Sequence, residues 1–128
     1  TNTETFIGYL WTEKQGFSKF GSYTGNANAD GTFVYTGFRP AFVLLKNSTG
    51  ANGWEMRDNK RPGYNLSSGT LAPSSSDAET TGEGIDIFSN GFKLRASGNG
   101  QNGANTYIYM AFAEAPFVNS NGVPCNAR

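Results

Sequence analysis

Histidine is absent from this chain of 128 residues, and cysteine occurs once, at Cys125. Without histidine the commonest general base at neutral pH and the commonest metal ligand are both missing, so a nucleophilic triad has nothing to activate it. A single thiol excludes an internal disulfide and cannot build a thiolate zinc site. Neither sign of charge is in excess: ten basic and ten acidic side chains cancel. No stretch gathers the positive footprint that nucleic acid or an anionic membrane requires. Long apolar runs are lacking too. Ala41–Leu45 is among the longest, far short of the ~20 residues of a membrane-spanning helix, and no signal-peptide pattern opens the chain. A soluble segment without nucleic-acid partner, membrane insertion, metal or cofactor is expected.

Sustained apolar spacing at three and four residues is also missing, so helix content is expected to be very low. What the chain has instead is 17 glycines, abundant Asn, Ser and Thr, and 14% aromatics, the composition of short strands joined by polar turns. Ile85–Arg95 alternates on both sides of Asn90-Gly91, a pair that suits a type I′ hairpin turn. Further strands are expected at Thr5–Trp11, Phe17–Thr24, Thr32–Thr36, Ala41–Lys46, Trp54–Asp58 and Thr106–Ala113. Val43, Leu44 and Leu45 run together, as in a strand covered on both faces or central in a sheet. Arg61–Gly84 carries Pro62, Pro73, a serine run and few large apolar residues beyond Tyr64, Leu66 and Leu71. A long loop packed onto the body is expected there. The fold class that follows is all-β, an antiparallel sandwich of jelly-roll type, with a closed barrel as the second choice.

One pattern recurs at both ends. Thr5-Phe6-Ile7-Gly8-Tyr9-Leu10-Trp11-Thr12-Glu13 returns as Thr106-Tyr107-Ile108-Tyr109-Met110-Ala111-Phe112-Ala113-Glu114, with Thr, Ile and Glu identical and aromatics answering aromatics. Such self-similarity suggests a segment cut from a tandem array. Residues 1–15 would then echo the end of a preceding repeat unit, and residues 16–128 would form one domain. The start at Thr1 agrees with a processed or excerpted chain.

For chemistry, the ten acids are scattered, and neither Asp77, Glu79 and Glu83 nor Asp30 with Asn26 and Asn28 matches a calcium-loop spacing. Asn47-Ser48-Thr49 and Asn65-Leu66-Ser67 fit the glycosylation pattern, which this composition produces readily. The densest mixture of aromatic, amide and charged groups surrounds Trp54, Asn59, Arg61 and Tyr64. Aromatic faces stack on the C–H surfaces of sugars while amides and charged groups hydrogen-bond the hydroxyls, so these four are the candidate contacts for a cell-surface glycan. Alternation places Trp54, Met56 and Asp58 on one face, so the competing expectation is a Trp54 in the core and an Asp58 paired locally with Arg61.

Two ordered blocks, Gly16-Phe17-Ser18-Lys19-Phe20-Gly21-Ser22-Tyr23-Thr24-Gly25-Asn26 and Tyr35-Thr36-Gly37-Phe38-Arg39-Pro40-Ala41-Phe42-Val43, together with Ile85–Leu94 and Thr106–Phe117, resemble an uncharacterised domain family of bacteriophage virion proteins, of the tail-fibre and appendage type found in marine phages. The resemblance covers nearly the whole chain. It implies a non-enzymatic component located in the virion, in contact with other virion proteins, and by analogy a homo-oligomer, a trimer before other states. It brings no catalytic residues. The closing stretch Gly122–Arg128 is similar to the family's tail, which usually lacks a cysteine. Three rivals stand beside this expectation: a carbohydrate-binding module, a capsid decoration protein and, least favoured, a hydrolase using paired carboxylates.

Overall fold

The structure, a computed structural model, describes residues 3–61, 65–116 and 119–121. Seven strands follow in order: β1 (Ser18–Thr24), β2 (Phe33–Tyr35), β3 (Pro40–Asn47), β4 (Trp54–Asp58), β5 (Ile85–Phe88), β6 (Gly91–Leu94) and β7 (Thr106–Ala113). All pairings are antiparallel. They form a four-stranded sheet in the order β1-β7-β3-β4 and a three-stranded sheet in the order β2-β6-β5. No helix occurs among the described residues. The all-β expectation holds, with two separate sheets rather than a closed barrel.

Alternation decides which side chains meet between the sheets. In β7, Tyr107, Tyr109 and Ala111 are buried while Ile108, Met110 and Phe112 point to the outer face. The register carries this across the sheet, so Tyr23, Leu45 and Val43 join the inner set. Val34, Phe92, Leu94, Ile85 and Ile87 meet them from the second sheet. Tyr23 and Tyr107 stack at 5.0 Å, and Phe92 lies edge-on to Tyr23 and Tyr109. These are the geometries the aromatic quadrupole favours. β3 lies between β7 and β4, with Val43 and Leu45 buried and Leu44 half-buried on the outside, as its unbroken apolar run requires.

The hairpin forms, with its turn one position earlier than expected. Phe88 pairs with Gly91, so Ser89 and Asn90 make the turn, and neither has a positive φ. This is therefore not a type I′ turn, which needs positive φ at both residues. Gly91 is taken into β6 because β2 presses on it: a β-carbon there would fall 2.1 Å from the Val34 carbonyl oxygen. Asn90 contributes its carbonyl, which accepts hydrogen bonds from the Thr36 and Gly37 amides.

In β4 the competing expectation of a Trp54 in the core fails. Trp54, Met56 and Asp58 do share a face, but it is the outer one; Arg57 is fully buried between the sheets. A third correction concerns residues 5–11, which form no strand. Strands need a ladder partner, and the pairing that begins at Lys14 and Ser18 goes no further up the chain.

The two sides of the sandwich differ. On one side the 61–84 loop lies against both edge strands, with Leu71 bridged to Met56 of β4 and Ser67 bridged to Ile85 of β5, and with Thr70 bridged to Thr80 inside the loop. On the other side β1 and β2 are edge strands, and among the described residues the only bridge on the free side of β1 is Lys14 to Ser18. One expected outcome tests the corrected turn: Gly91→Ala lowers stability by roughly 1–3 kcal/mol in urea unfolding, and an unchanged midpoint would show that β2 does not approach so closely.

Candidate functional site

Of the residues singled out by the sequence, Trp54 lies apart from Asn59 and Arg61. Trp54 opens β4 on the outer face, and its amide N–H donates to Ser74 Oγ at 3.3 Å. Asn59 and Arg61 lie beyond the other end of the strand, about 13 Å further along at 3.3 Å per residue. Asn59 Nδ2 donates to Glu114 Oε1 at 2.9 Å. Arg61 is occupied by Glu79 and by Asp58, whose Oδ2 is 2.8 Å from Arg61 Nε. That N–H is not aimed at the carboxylate, so the Asp58 contact is ionic rather than a hydrogen bond. The expected local pair of Asp58 and Arg61 thus exists, and it ties up the guanidinium. Tyr64 lies outside the described residues.

Sequence reasoning missed the most constrained polar group of the fold. Arg57 Nη1 donates to the carbonyls of Ser67 at 3.2 Å and Glu83 at 2.6 Å, while Nη2 donates to Glu55 Oε2 at 3.1 Å. Burial pulls the Arg57 pKa down, opposed chiefly by the Glu55 carboxylate. One guanidinium therefore joins β4 to both ends of the loop that seals this side. Nearby, burial raises the Glu83 carboxyl, with the Glu55 charge as the next cause. Both acids lie against the turn before β7: a β-carbon on Gly98 would meet Glu83 Oε1, and one on Gly100 would meet Glu55 Oε1. The sequence signal was slight. Glu55 and Arg57, two apart in a strand, must share a face, but Trp54 and Met56 on the other face are more apolar and draw the core assignment to themselves.

Two other surfaces are exposed. A cleft of about 450 Å³ opens between the unsealed edges, lined by Glu13, Gln15, Lys19, Tyr35, Thr36 and Phe38 among others. Lys19 Nζ is 2.6 Å from Glu13 Oε1 across it, which lowers the Glu13 pKa and raises that of Lys19. The outer face of the larger sheet is apolar, with Phe112 in ring contact with Phe17, Phe20 and Phe42 and with Leu44 between Met110 and Met56 in the register.

Asp30 and Asp86 are engaged in ion pairs. Asp30 pairs with Lys93 at 2.6 Å and Arg95 at 3.4 Å, and Arg95 also holds Asp86. The lysine lowers the Asp30 pKa. Asn26 and Asn28 accept amide hydrogen bonds two residues on, the signature of Asx turns. Among the described residues no three His, Cys, Asp or Glu side chains are placed to hold a metal. Asn47, in one glycosylation triplet, is buried and donates to Asn52 Oδ1 and the Asn99 carbonyl, so its amide is not presented to solvent.

A single family description, a domain of unknown function designated DUF7483, matches residues 1–116 and takes in the N-terminal segment, both sheets and the sealing loop together. The chain belongs to the DUF7483 family. No curated protein and no solved structure matches it. Within this DUF7483 domain the Arg57 cluster is what fixes the loop, and two outcomes check it. Arg57→Ala leaves the Ser67 and Glu83 carbonyls and the Glu55 carboxylate without their donor; it costs about 3 kcal/mol and makes the 61–84 loop the first site of limited proteolysis. Glu83 has a folded pKa above its unfolded one, so its contribution is complete below the usual carboxylate range and is lost as pH rises through the raised value. Glu83→Gln therefore moves the urea midpoint upward at neutral pH, with no advantage in acid.

Proposed function

We propose that this domain is a non-enzymatic structural module of a phage virion appendage, whose work is assembly with other virion proteins and, secondarily, contact with the host surface. The observation that carries the reading is the set of ordered sequence blocks resembling such virion proteins, from Gly16–Asn26 through Thr106–Phe117. The architecture supports it physically. Most charged side chains whose surroundings are described are engaged in ion pairs with one another, while large apolar side chains, including Phe6, Ile7, Tyr9, Leu10, Trp11 and Phe17, are exposed. Surfaces of this kind mark association rather than chemistry. Homo-oligomerisation, as a trimer by analogy, belongs to the same proposal.

The second reading is a carbohydrate-binding module. It is favoured by the exposed indole of Trp54 at a sheet edge and disfavoured by Arg61, which two carboxylates already occupy. Capsid decoration is the third. Two measurements separate them. An electron cryomicroscopy map of an intact particle containing this chain is expected to show it in an appendage; density on the capsid lattice would make it a decoration protein, and its absence from particles would end the proposal. On a glycan array, binding that Trp54→Ala abolishes while the fold persists would transfer the assignment to the carbohydrate module.

A further inference from the structure

We infer that the N-terminal arm, residues 5–10, of one copy adds as an antiparallel strand to the free edge of β1 in a second copy, closing the open side of that copy's sandwich. This does not rest on the virion assignment; it uses only the arm, the edge and the two sides of the fold.

The arm has the composition of a strand covered on both faces. Phe6, Ile7, Tyr9, Leu10 and Trp11 are 78%, 81%, 74%, 96% and 55% exposed, and in an extended chain they fall on both sides of the backbone. Residues with apolar groups on both sides belong inside a sheet that is covered on both sides. Yet residues 3–11 make no hydrogen bond with any other described residue, and their one aromatic contact is internal, Tyr9 on Trp11 at 6.0 Å.

The receiving edge is identified by likeness. The arm repeats the pattern of β7, and β7 is the strand that pairs with β1 on its other side. The pattern thus already fits β1 once. Placed in the register of β7, the arm sets Thr5 opposite Thr24, Phe6 opposite Tyr23, Ile7 opposite Ser22, Gly8 opposite Gly21 and Tyr9 opposite Phe20. Ile7 and Tyr9 then extend the outer apolar face that Ile108 and Met110 occupy, and Phe6 reaches the inner side beside Tyr23. Main-chain hydrogen bonds supply affinity in such strand addition, and the alternating side chains supply register.

The donor is a second copy for a geometric reason. Each chain's own arm is turned at Gln15–Phe17 and rooted beside the start of β1, where Lys14 bridges Ser18, Ser18 Oγ donates to the Thr12 carbonyl and Glu13 pairs with Lys19. Beyond that root it leaves the body; the Thr24 carbonyl accepts from Thr32 Oγ1 at 2.8 Å, so the stretch of β1 left unpaired is Phe20–Tyr23, within the stretch the register above fills. Arm and edge start from the same place on each copy, so reciprocal exchange or ring closure satisfies both. On the opposite side the 61–84 loop already covers β4 and β5, which makes β1 and β2 the one side still open to a partner.

The test uses the full chain. Light scattering is expected to give a mass above that of one chain, and the double variant Tyr9→Asp with Leu10→Asp is expected to return it to a monomer with unchanged circular dichroism, since neither side chain contacts the body. With Cys125→Ser throughout, an Ile7→Cys chain mixed with a Ser22→Cys chain is expected to form a disulfide-linked heterodimer under mild oxidation. A monomeric starting chain would overturn the inference, as would an oligomer that the arm substitutions leave intact. So would a failure of the mixed chains to cross-link while one chain carrying both Ile7→Cys and Ser22→Cys closes an internal disulfide, because the arm would then fold back on its own edge.

Discussion

The fold depends on one buried cation. A guanidinium taken between two sheets loses its hydration, and that loss is offset only when fixed acceptors surround it. Arg57 finds a carboxylate on its own strand and two carbonyls on the connection between β4 and β5. Its neighbours are bound by the same need. Glu55 and Glu83 lie against glycines at 98 and 100, where no side chain would leave them room, and Tyr23 donates its hydroxyl to the Gln101 carbonyl in the same turn. A long, polar, proline-containing connection with few apolar residues is thereby held as a wall of the sandwich instead of hanging from it. The network is not complete, because Arg57 Nε and Gln101 Oε1 are buried without a hydrogen-bond partner, and such networks rigidify a core only to the extent that their members are satisfied.

That wall gives the molecule two unlike flanks. Where the connection lies, edge backbone groups are bridged and the sheets are closed. Across from it, β1 and β2 end the sheets with a cleft between them. Natural sheet proteins blunt such edges with charge, proline or bulges, yet β1 offers Lys19 as its single charged residue and no proline. An edge left in this state beside an unpaired apolar segment is the geometry from which strand addition between copies is inferred.

Much of this was legible from alternation. The positions of β1, β3, β4 and β7 followed from runs of apolar and β-branched residues, and the packed connection followed from its sparse Leu residues. What was not legible came from contacts between distant parts of the chain. Asn90-Gly91 has the local preference for the turn, but the approach of Val34 from another strand claims the glycine for β6, so tertiary crowding outweighs turn propensity. Trp54 and Met56 outrank Glu55 and Arg57 on any hydrophobicity scale, and only the acceptors offered by Ser67 and Glu83 reverse the face. Of the glycan candidates, Trp54 is carried away from Asn59 and Arg61 by an extended strand, and Asp58 and Glu79 occupy Arg61. The arm has strand composition without a strand, because composition does not supply the partner.

The order of strands has a consequence for how the polypeptide reaches this state. Of the described strands β7 is the last to be synthesised, yet it sits between β1 and β3. Until it leaves the ribosome, those two have no neighbour in common and the larger sheet has a gap at its centre. Cooperative folding must therefore wait for the C-terminal part of the chain, and pairings over such sequence distances make the final step a slow one.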